Sequence, residues 1–333
     1  MLCDEQLDVI YKNNWFNLFV PKEYGGLELS LNDGLQIEEA LAYINGSLGW
    51  TVTLCAGANW FAGFLDKESA KGIFSEKQVC FAGSGKPSGV ARILQDGFEV
   101  TGYWKYATGA PHATVFTANC VLEKDGSLIK DENGESKIAS FWFTEDEVAI
   151  DYNWRTMGMK ATASESFSVY KLFVPANRIF YIQPDAVILS GAIYRYPFLQ
   201  FAEATLSVNM SGTTVRFFEL CEQIFANKYR LLNADSSLKL KELLKSCTQR
   251  LNDLRINFYK AIDLSWSDLI QHQSINQVNL ELVSRTCKDL AIGARLLTEE
   301  LYPHCGLTAA DPSTEINRVW RDLHTASQHT LLV

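Results

Sequence analysis

The chain has 333 residues, 47% hydrophobic and 21% charged, with 39 acidic against 30 basic side chains for a net charge of −9. At roughly 100 to 200 residues per domain this is two or three domains, large enough to bury most of their apolar surface without disulfide or metal staples. Collagenous, disordered and mini-protein classes are excluded, and an acidic chain with no Lys/Arg block makes no nucleic-acid partner for the molecule as a whole.

The N-terminus, Met1 to Glu5, has no basic stretch leading into an apolar core, so no secretory signal is expected and the cytoplasm is the default. Residues 1–78 read as helical. Pro21 and Gly25-Gly26 break the pattern early, and Leu35, Ile37, Ala40, Leu41 and Tyr43 follow the cap-like Asn32-Asp33. Ala40 to Leu65 carries no charge and is long enough to span a bilayer. Asn45-Gly46-Ser47, Gly49, Gly57, Asn59 and Gly63 interrupt it, which points to a buried helix-turn-helix and no membrane partner.

Residues 79–186 switch to short β-rich runs: Phe98 to Thr101, Thr114 to Thr117, Ser140 to Phe143 and Phe167 to Tyr170. Asp96-Gly97, Asp125-Gly126 and Asn133-Gly134 are hairpin-type turn signals. From 187 to 333 the pattern is helical again, with long stripes at Leu240, Leu243, Leu244, Cys247, Leu251, Leu254, Phe258 and Ile262, and from Leu280 to Leu297. With 198–230 and a last helix after Pro312, that makes about four helices, enough for an antiparallel bundle. The expected order is helices, a β-barrel or sandwich, then a bundle. Eight scattered cysteines, with no C-x-x-C pair and no short Cys/His ligand spacing, predict reduced buried thiols and no metal site.

Two β segments could take a planar ligand. Phe81 to Gly89 is small and glycine-rich, so backbone amides at Gly83 and Ser84 could approach a ring or phosphate. Trp104-Lys105-Tyr106-Ala107-Thr108-Gly109 interleaves aromatics with a hydroxyl.

Pro21-Lys22-Glu23-Tyr24-Gly25-Gly26, Trp154 to Ser164 (WRTMGMKATAS), Leu172-Phe173-Val174-Pro175 and Arg318 with Arg321-Asp322 resemble, in order and over essentially the whole chain, motifs of the acyl-CoA dehydrogenase superfamily. The resemblance implies an α+β multidomain fold: an N-terminal helical domain (1–78), a middle β-barrel (79–186) and a C-terminal four-helix bundle (187–333). It also implies a homotetramer with flavin held between barrel and bundle. Val20-Pro21 arrives early, which implies a shortened first helix.

In that family Phe81, Gly83 and Ser84 would meet the cofactor. Trp104, Tyr106 and Thr108 would lie on the flavin ring, and Gly306 would lie near cofactor phosphates. His304-Cys305-Gly306 keeps one glycine of the family's three, which leaves FAD or FMN open. Trp104, Phe81, Trp60 and Phe198 are candidate pocket walls. The carboxylate base of the dehydrogenases is missing from Leu323 to Leu331, and Glu203 is the alternative. Trp104, Tyr106, Thr108, Gly109 and His112, with Arg321, Asp322 and His329, instead resemble the branch of two-component flavin-dependent monooxygenases. That branch implies reduced flavin from a separate reductase, oxygen, a small-molecule substrate, and His329, His112 and Thr108 as catalytic groups. An FAD-dependent acyl-CoA dehydrogenase and a catalytically silent binding protein are the alternatives.

Overall fold

Nine helices and eight strands follow the helix, strand, helix order that the periodicities predict, in a computed structural model describing residues 1–333. The first group is α1 (Asp4–Lys12), α2 (Leu31–Ile44), α3 (Gly46–Asn59) and α4 (Lys67–Phe74). The strands are β1 (Phe81–Ile93), β2 (Gly97–Ala107), β3 (Val115–Lys124), β4 (Ser127–Leu128), β5 (Ile138–Thr144), β6 (Ala149–Asp151), β7 (Glu165–Pro175) and β8 (Ile179–Phe180). Then come α5 (Phe198–Lys228), α6 (Ala234–His272), α7 (Gln277–Leu301), α8 (Leu307–Ala310) and α9 (Glu315–Ala326). No helix is long and apolar enough to cross a membrane. These elements form two compact units, residues 1–30, 54–155 and 161–195, and residues 31–53, 156–160 and 196–333, which cut across the expected boundaries at 78 and 186.

In the first unit the strands pair in the order β6-β7-β2-β1-β3-β5-β8, with β4 on β3. Asp125 and Gly126 both have positive φ (51° and 76°), the geometry of a type I′ hairpin between β3 and β4. The expected barrel is a single sheet whose hydrogen-bonded path is open, with no β6–β8 pairing. It is nonetheless sharply curled. β2 and β5 are separated by β1 and β3, a span of about 14 Å in a flat sheet. Yet the Phe98 and Phe141 rings of those two strands sit 5.0 Å apart, centre to centre. Phe116 of β3 and Phe167 of β7, equally far apart along the pairing path, meet at 4.9 Å.

Trp104 is the hub of this interior. Its ring stacks on Phe167 at 5.1 Å, and its indole N–H donates to the Asn119 carbonyl at 3.0 Å. The indole fills space vacated by two glycines, since a Cβ on Gly89 or Gly102 would come within 2.3 Å of its ring.

The second unit is organised by α5. Eighteen of its residues are buried and none from Phe201 to Cys221 is exposed, so its middle has no solvent face and packs on α2, α6, α7 and α9. Its interior hydroxyls are satisfied locally: Ser207 donates to the Glu203 carbonyl and Thr214 to the Met210 carbonyl, each at 2.7 Å. At Gly212 the α2 backbone approaches so closely that a Cβ would lie 2.2 Å from the Glu39 carbonyl oxygen. The Glu39 carboxylate accepts from Arg255 (2.9 and 3.1 Å), from Tyr259 (2.8 Å) and from Ser211, which ties α2 to α5 and α6. The four residues joining the packed helices α6 and α7 force them to run antiparallel.

Trp104→Ala should lower unfolding stability by about 3–5 kcal/mol, the cost of emptying a close-packed aromatic site. Urea denaturation followed by fluorescence and far-ultraviolet dichroism measures it. A loss under about 1 kcal/mol would remove Trp104 from its place as core hub.

Candidate functional site

In the first unit Asn59 fixes where the candidate ligand strand starts. Its Oδ1 accepts from the Phe81 amide at 2.8 Å, while its Nδ2 donates to Asn17 and to the Val79 carbonyl. The glycine-rich stretch 81–89 is part of β1. A register shift against β3 between Ser84 and Gly89 raises residues 85–88 into solvent. Gly83 and Ser84 are half-buried at the edge of this bulge. Gly83 is obligatory for packing, because a Cβ there would sit 2.1 Å from the Thr117 hydroxyl. Phe81 and Trp104, expected as contact surface for a ligand, are 0% exposed. Their rings belong to the interior and have no face to offer, as is also true of Trp60, whose indole donates to the Ile193 carbonyl. Phe198, at the start of α5, is partly exposed.

Tyr106 and Thr108 are placed differently. A second register shift, between Trp104 and Ala107, puts Tyr106 at φ 67° with its ring 69% exposed and edge-on to Trp154 at 6.0 Å. Positive φ in an aromatic residue is strained and persists only where the surroundings impose it. Two residues on, the buried Thr108 hydroxyl lies 2.8 Å from that of Ser164, which lies 2.8 Å from that of Thr162. The Gly109 amide donates to the Thr162 carbonyl at 2.9 Å, and Ala163, between the two partners, also has positive φ.

Sequence reasoning quoted Thr162 and Ser164 only as part of a motif. Their meeting with Thr108, more than fifty residues away, has no local signature. His112 closes a short 3-10 turn after Gly109, with its Nε2 buried and lacking a hydrogen-bond partner. Burial lowers its pKa, the chain's N-terminal amino group adds to this, and Asp4 opposes it.

In the second unit the Arg-Asp motif of α9 grips the Gly158-Met159 stretch. Asp322 Oδ1 accepts from the Met159 amide at 2.5 Å, Thr325 accepts from the Gly158 amide at 3.0 Å, and Arg321 donates to the Met157 carbonyl at 2.7 Å. A Cβ on Gly158 would lie 2.0 Å from the Arg321 carbonyl oxygen, so only glycine permits this approach. Three residues after α9, His329 caps the last turn: its Nδ1 accepts from the Leu331 amide at 3.3 Å, which puts the proton of the neutral ring on Nε2. The ring lies edge-on to Trp50 at 6.0 Å, and burial lowers its pKa.

Gly306 is exposed and adopts φ 70°, ψ −158°, a conformation essentially confined to glycine. Glu203, the alternative base, is buried on α5, and its carboxylate accepts from Ser284 at 2.5 Å. Sequence reasoning also missed Glu38 of α2, which is fully buried. Burial pushes its pKa well up, only partly offset by the Thr53 hydroxyl.

With this geometry in view, comparison with known proteins defines the class. No family model matches the chain. It has the acyl-CoA dehydrogenase fold in the form taken by flavin-dependent monooxygenases, and its homologues are oxygenase components of such enzymes. It is 28% identical over 222 residues to a pigment production hydroxylase of Rhodococcus sp., a match that spans 63% of this chain and about half (54%) of the relative. It is 23% identical over 348 residues to the oxygenase subunit HsaA of Mycobacterium tuberculosis, covering 98% of this chain and 84% of that one. The HsaA crystal structure superposes with a TM-score of 0.90 at 19% identity, over 99% of this chain and 88% of that chain. XiaF from Streptomyces sp., solved with FADH2 and glycerol, gives 0.88 at 18% identity, over 99% and 85%.

The pKa of His329 sits below the ordinary imidazole value of 6.5, so between those two values the unfolded chain binds the extra proton. Stability therefore rises with pH across that window and is lost as pH falls below 6.5. His329→Gln should flatten this dependence, measured as urea midpoints of both proteins at about pH 7.5 and about pH 5.5. An unchanged slope would show that the ring is not held neutral by burial. Asp322→Ala, which orphans the Met159 amide, should cost about 1–3 kcal/mol at neutral pH in the same assay.

Proposed function

We propose that the chain is the oxygenase component of a two-component flavin-dependent monooxygenase, acting with reduced FAD or FMN from a separate reductase, and with dioxygen, on a small organic substrate. The observation that carries this reading is the half-buried His329, with its pKa lowered by burial, in a segment from Leu323 to Leu331 that has no carboxylate, in a chain whose homologues are monooxygenases. The same reading makes the protein a cytoplasmic homotetramer with the three-part arrangement of the acyl-CoA dehydrogenase fold, and light scattering tests the tetramer.

The groups present suit a flavin. An isoalloxazine edge is polar and uncharged, and the first unit offers a buried hydroxyl at Thr108, exposed backbone beside Gly83 and Ser84, the Tyr106 ring, and a buried His112 Nε2 that lacks a partner. Bound reduced flavin would supply the two electrons that split dioxygen into one inserted oxygen atom and water. Thr108 donates to or accepts from the ring edge, with Ser164 and Thr162 behind it to fix its rotamer. Tyr106 supplies an aromatic face and Gly306 a side-chain-free approach for phosphate. His112 takes a hydrogen bond that the protein itself leaves unmade. His329, neutral with its proton on Nε2, donates that proton or, after exchange, accepts one at a substrate heteroatom. Trp104 and Phe81 serve by holding the strands that carry these groups.

Glu203 favours the dehydrogenase alternative least, since its carboxylate is already engaged by Ser284. Anaerobic mixing with reduced FAD or FMN, then oxygen in a stopped-flow spectrometer, tests the proposal. The absorbance of oxidised flavin should return only after a lag, far later than for free reduced flavin. In His329→Gln, substrate oxygenation should fall by about 10²-fold or more. Immediate reoxidation, or flavin reduction by an acyl-CoA that Glu203→Gln abolishes, would replace the monooxygenase with the dehydrogenase.

A further inference from the structure

The chemistry above uses none of the eight cysteines, seven of which are buried. Two of them touch. Cys221, near the end of α5, and Cys305, in the turn Tyr302–Cys305 that follows α7, have their Sγ atoms 3.4 Å apart although 84 residues separate them. A disulfide needs about 2.05 Å, so a relative movement of about 1.4 Å would close the pair. The turn can supply it. It lies at the surface, followed by exposed Gly306 and by Leu307, which is 88% exposed.

The two sulfurs are not equivalent. As a thiol Cys305 donates to the Leu301 carbonyl at 3.6 Å, which leaves its sulfur free to accept from the Cys221 S–H. That hydrogen bond holds Cys305 below the ordinary thiol range against burial, and the nearby Lys228 ammonium acts in the same direction. Lys228 is itself placed by the turn, through a 2.7 Å hydrogen bond to the His304 carbonyl. The same sulfur–sulfur contact, with burial, keeps Cys221 protonated. The more readily ionised sulfur therefore sits against one that this contact and burial hold as a thiol, the pairing of attacking and resolving sulfurs used in thiol oxidation. Cys247 of α6 is a third buried thiol nearby, without a hydrogen bond to either.

We infer that Cys305 and Cys221 form a redox-active dithiol that hydrogen peroxide converts to a disulfide, tethering α5 to the turn that carries Gly306. The Cys305 thiolate attacks one peroxide oxygen, an S–O bond forms, the O–O bond breaks, and the departing hydroxide takes a proton to become water. The Cys221 sulfur then attacks the sulfur of the Cys305 sulfenic acid. The S–O bond breaks, and the second hydroxide leaves as water with the Cys221 proton. Two thiols lose two electrons in all, and one peroxide becomes two waters. The oxidant is peroxide from any source, so the inference stands apart from the oxygenase reading.

The test is peptide mapping of the whole protein after hydrogen peroxide treatment, alkylation of remaining thiols and non-reducing digestion. A Cys221–Cys305 cross-linked peptide is expected, lost on treatment with dithiothreitol, absent from Cys305→Ser and retained in Cys247→Ser. Amide exchange across residues 302–310 should slow by about tenfold in the oxidised protein as the tether suppresses local opening. Overturning results are Cys305 recovered as sulfinic acid without a cross-link, a cross-link to Cys247, both thiols recovered alkylated, or exchange unchanged by oxidation. The map of the unmutated protein decides the matter even if Cys305→Ser does not fold.

Discussion

The hydrogen bond from the Met159 amide to the buried Asp322 carboxylate is the contact on which the candidate groups of the second unit depend. It joins two segments 163 residues apart, and the flanking bonds at Gly158 and Met157 make it a three-point grip. Burial raises the pKa of Asp322, while the Met159 amide, Arg318 and Arg321 pull it back. The balance matters because a carboxylate taken from water is tolerated only when its oxygens are met. α9 is thereby fixed along its length, and the turn after it places His329 by main-chain bonds from Ser327, Gln328 and His329 back to Leu323, Thr325 and Ala326. The position of the imidazole is thus set seven residues away, by a group, Asp322, with no part in the proposed chemistry.

The molecule treats adjacent buried acids in opposite ways. Arg255, Tyr259 and Ser211 converge on the Glu39 carboxylate, which fastens three helices. Glu38, one residue earlier, has no cation beside it, and burial pushes its pKa well up. The same economy of charge holds around Thr108 and His112, where the polar groups are hydroxyls and an imidazole that burial keeps uncharged. Uncharged polar groups can be buried at far lower cost than ions, provided each finds a partner. His112 Nε2 has no such partner within the protein.

What the sequence made legible follows from interactions that are local. Helical stripes at 240–262 and 280–297 fall inside α6 and α7, and the Asp125-Gly126 turn has the backbone its residues demand. The helix expected after Asn32-Asp33 begins at Leu31 and takes both residues into its first turn, where Asp33 suits the helix dipole. Residues 81–89 lie in β1 although Gly83, Gly85, Pro87 and Gly89 are poor strand formers. Two of those glycines are instead spacers in a strand, one against Thr117 and one against the Trp104 indole. Such a requirement lies in the neighbour across the sheet and leaves no trace in local pattern. The Thr108–Ser164–Thr162 chain and the Arg255–Glu39 pair were invisible for the same reason.

The misassigned aromatics carry a more general point about reading a ligand site from residue type. An aromatic in a candidate site motif is equally what a curled sheet needs to fill its interior, and alternation along a strand separates the two uses. Trp104 and Tyr106 are two residues apart and would share a face of a regular strand. The register shift between Trp104 and Ala107, with positive φ at Tyr106, breaks that alternation and turns one ring inward and the other out. A bulge thus converts one aromatic of a pair from packing to display. Its cost in backbone strain is borne by the stacking of Trp104 on Phe167 and by the pairing of β2 with β7 on either side. The strained residue and the buried hydroxyl two positions later are therefore consequences of the same core that hides Trp104.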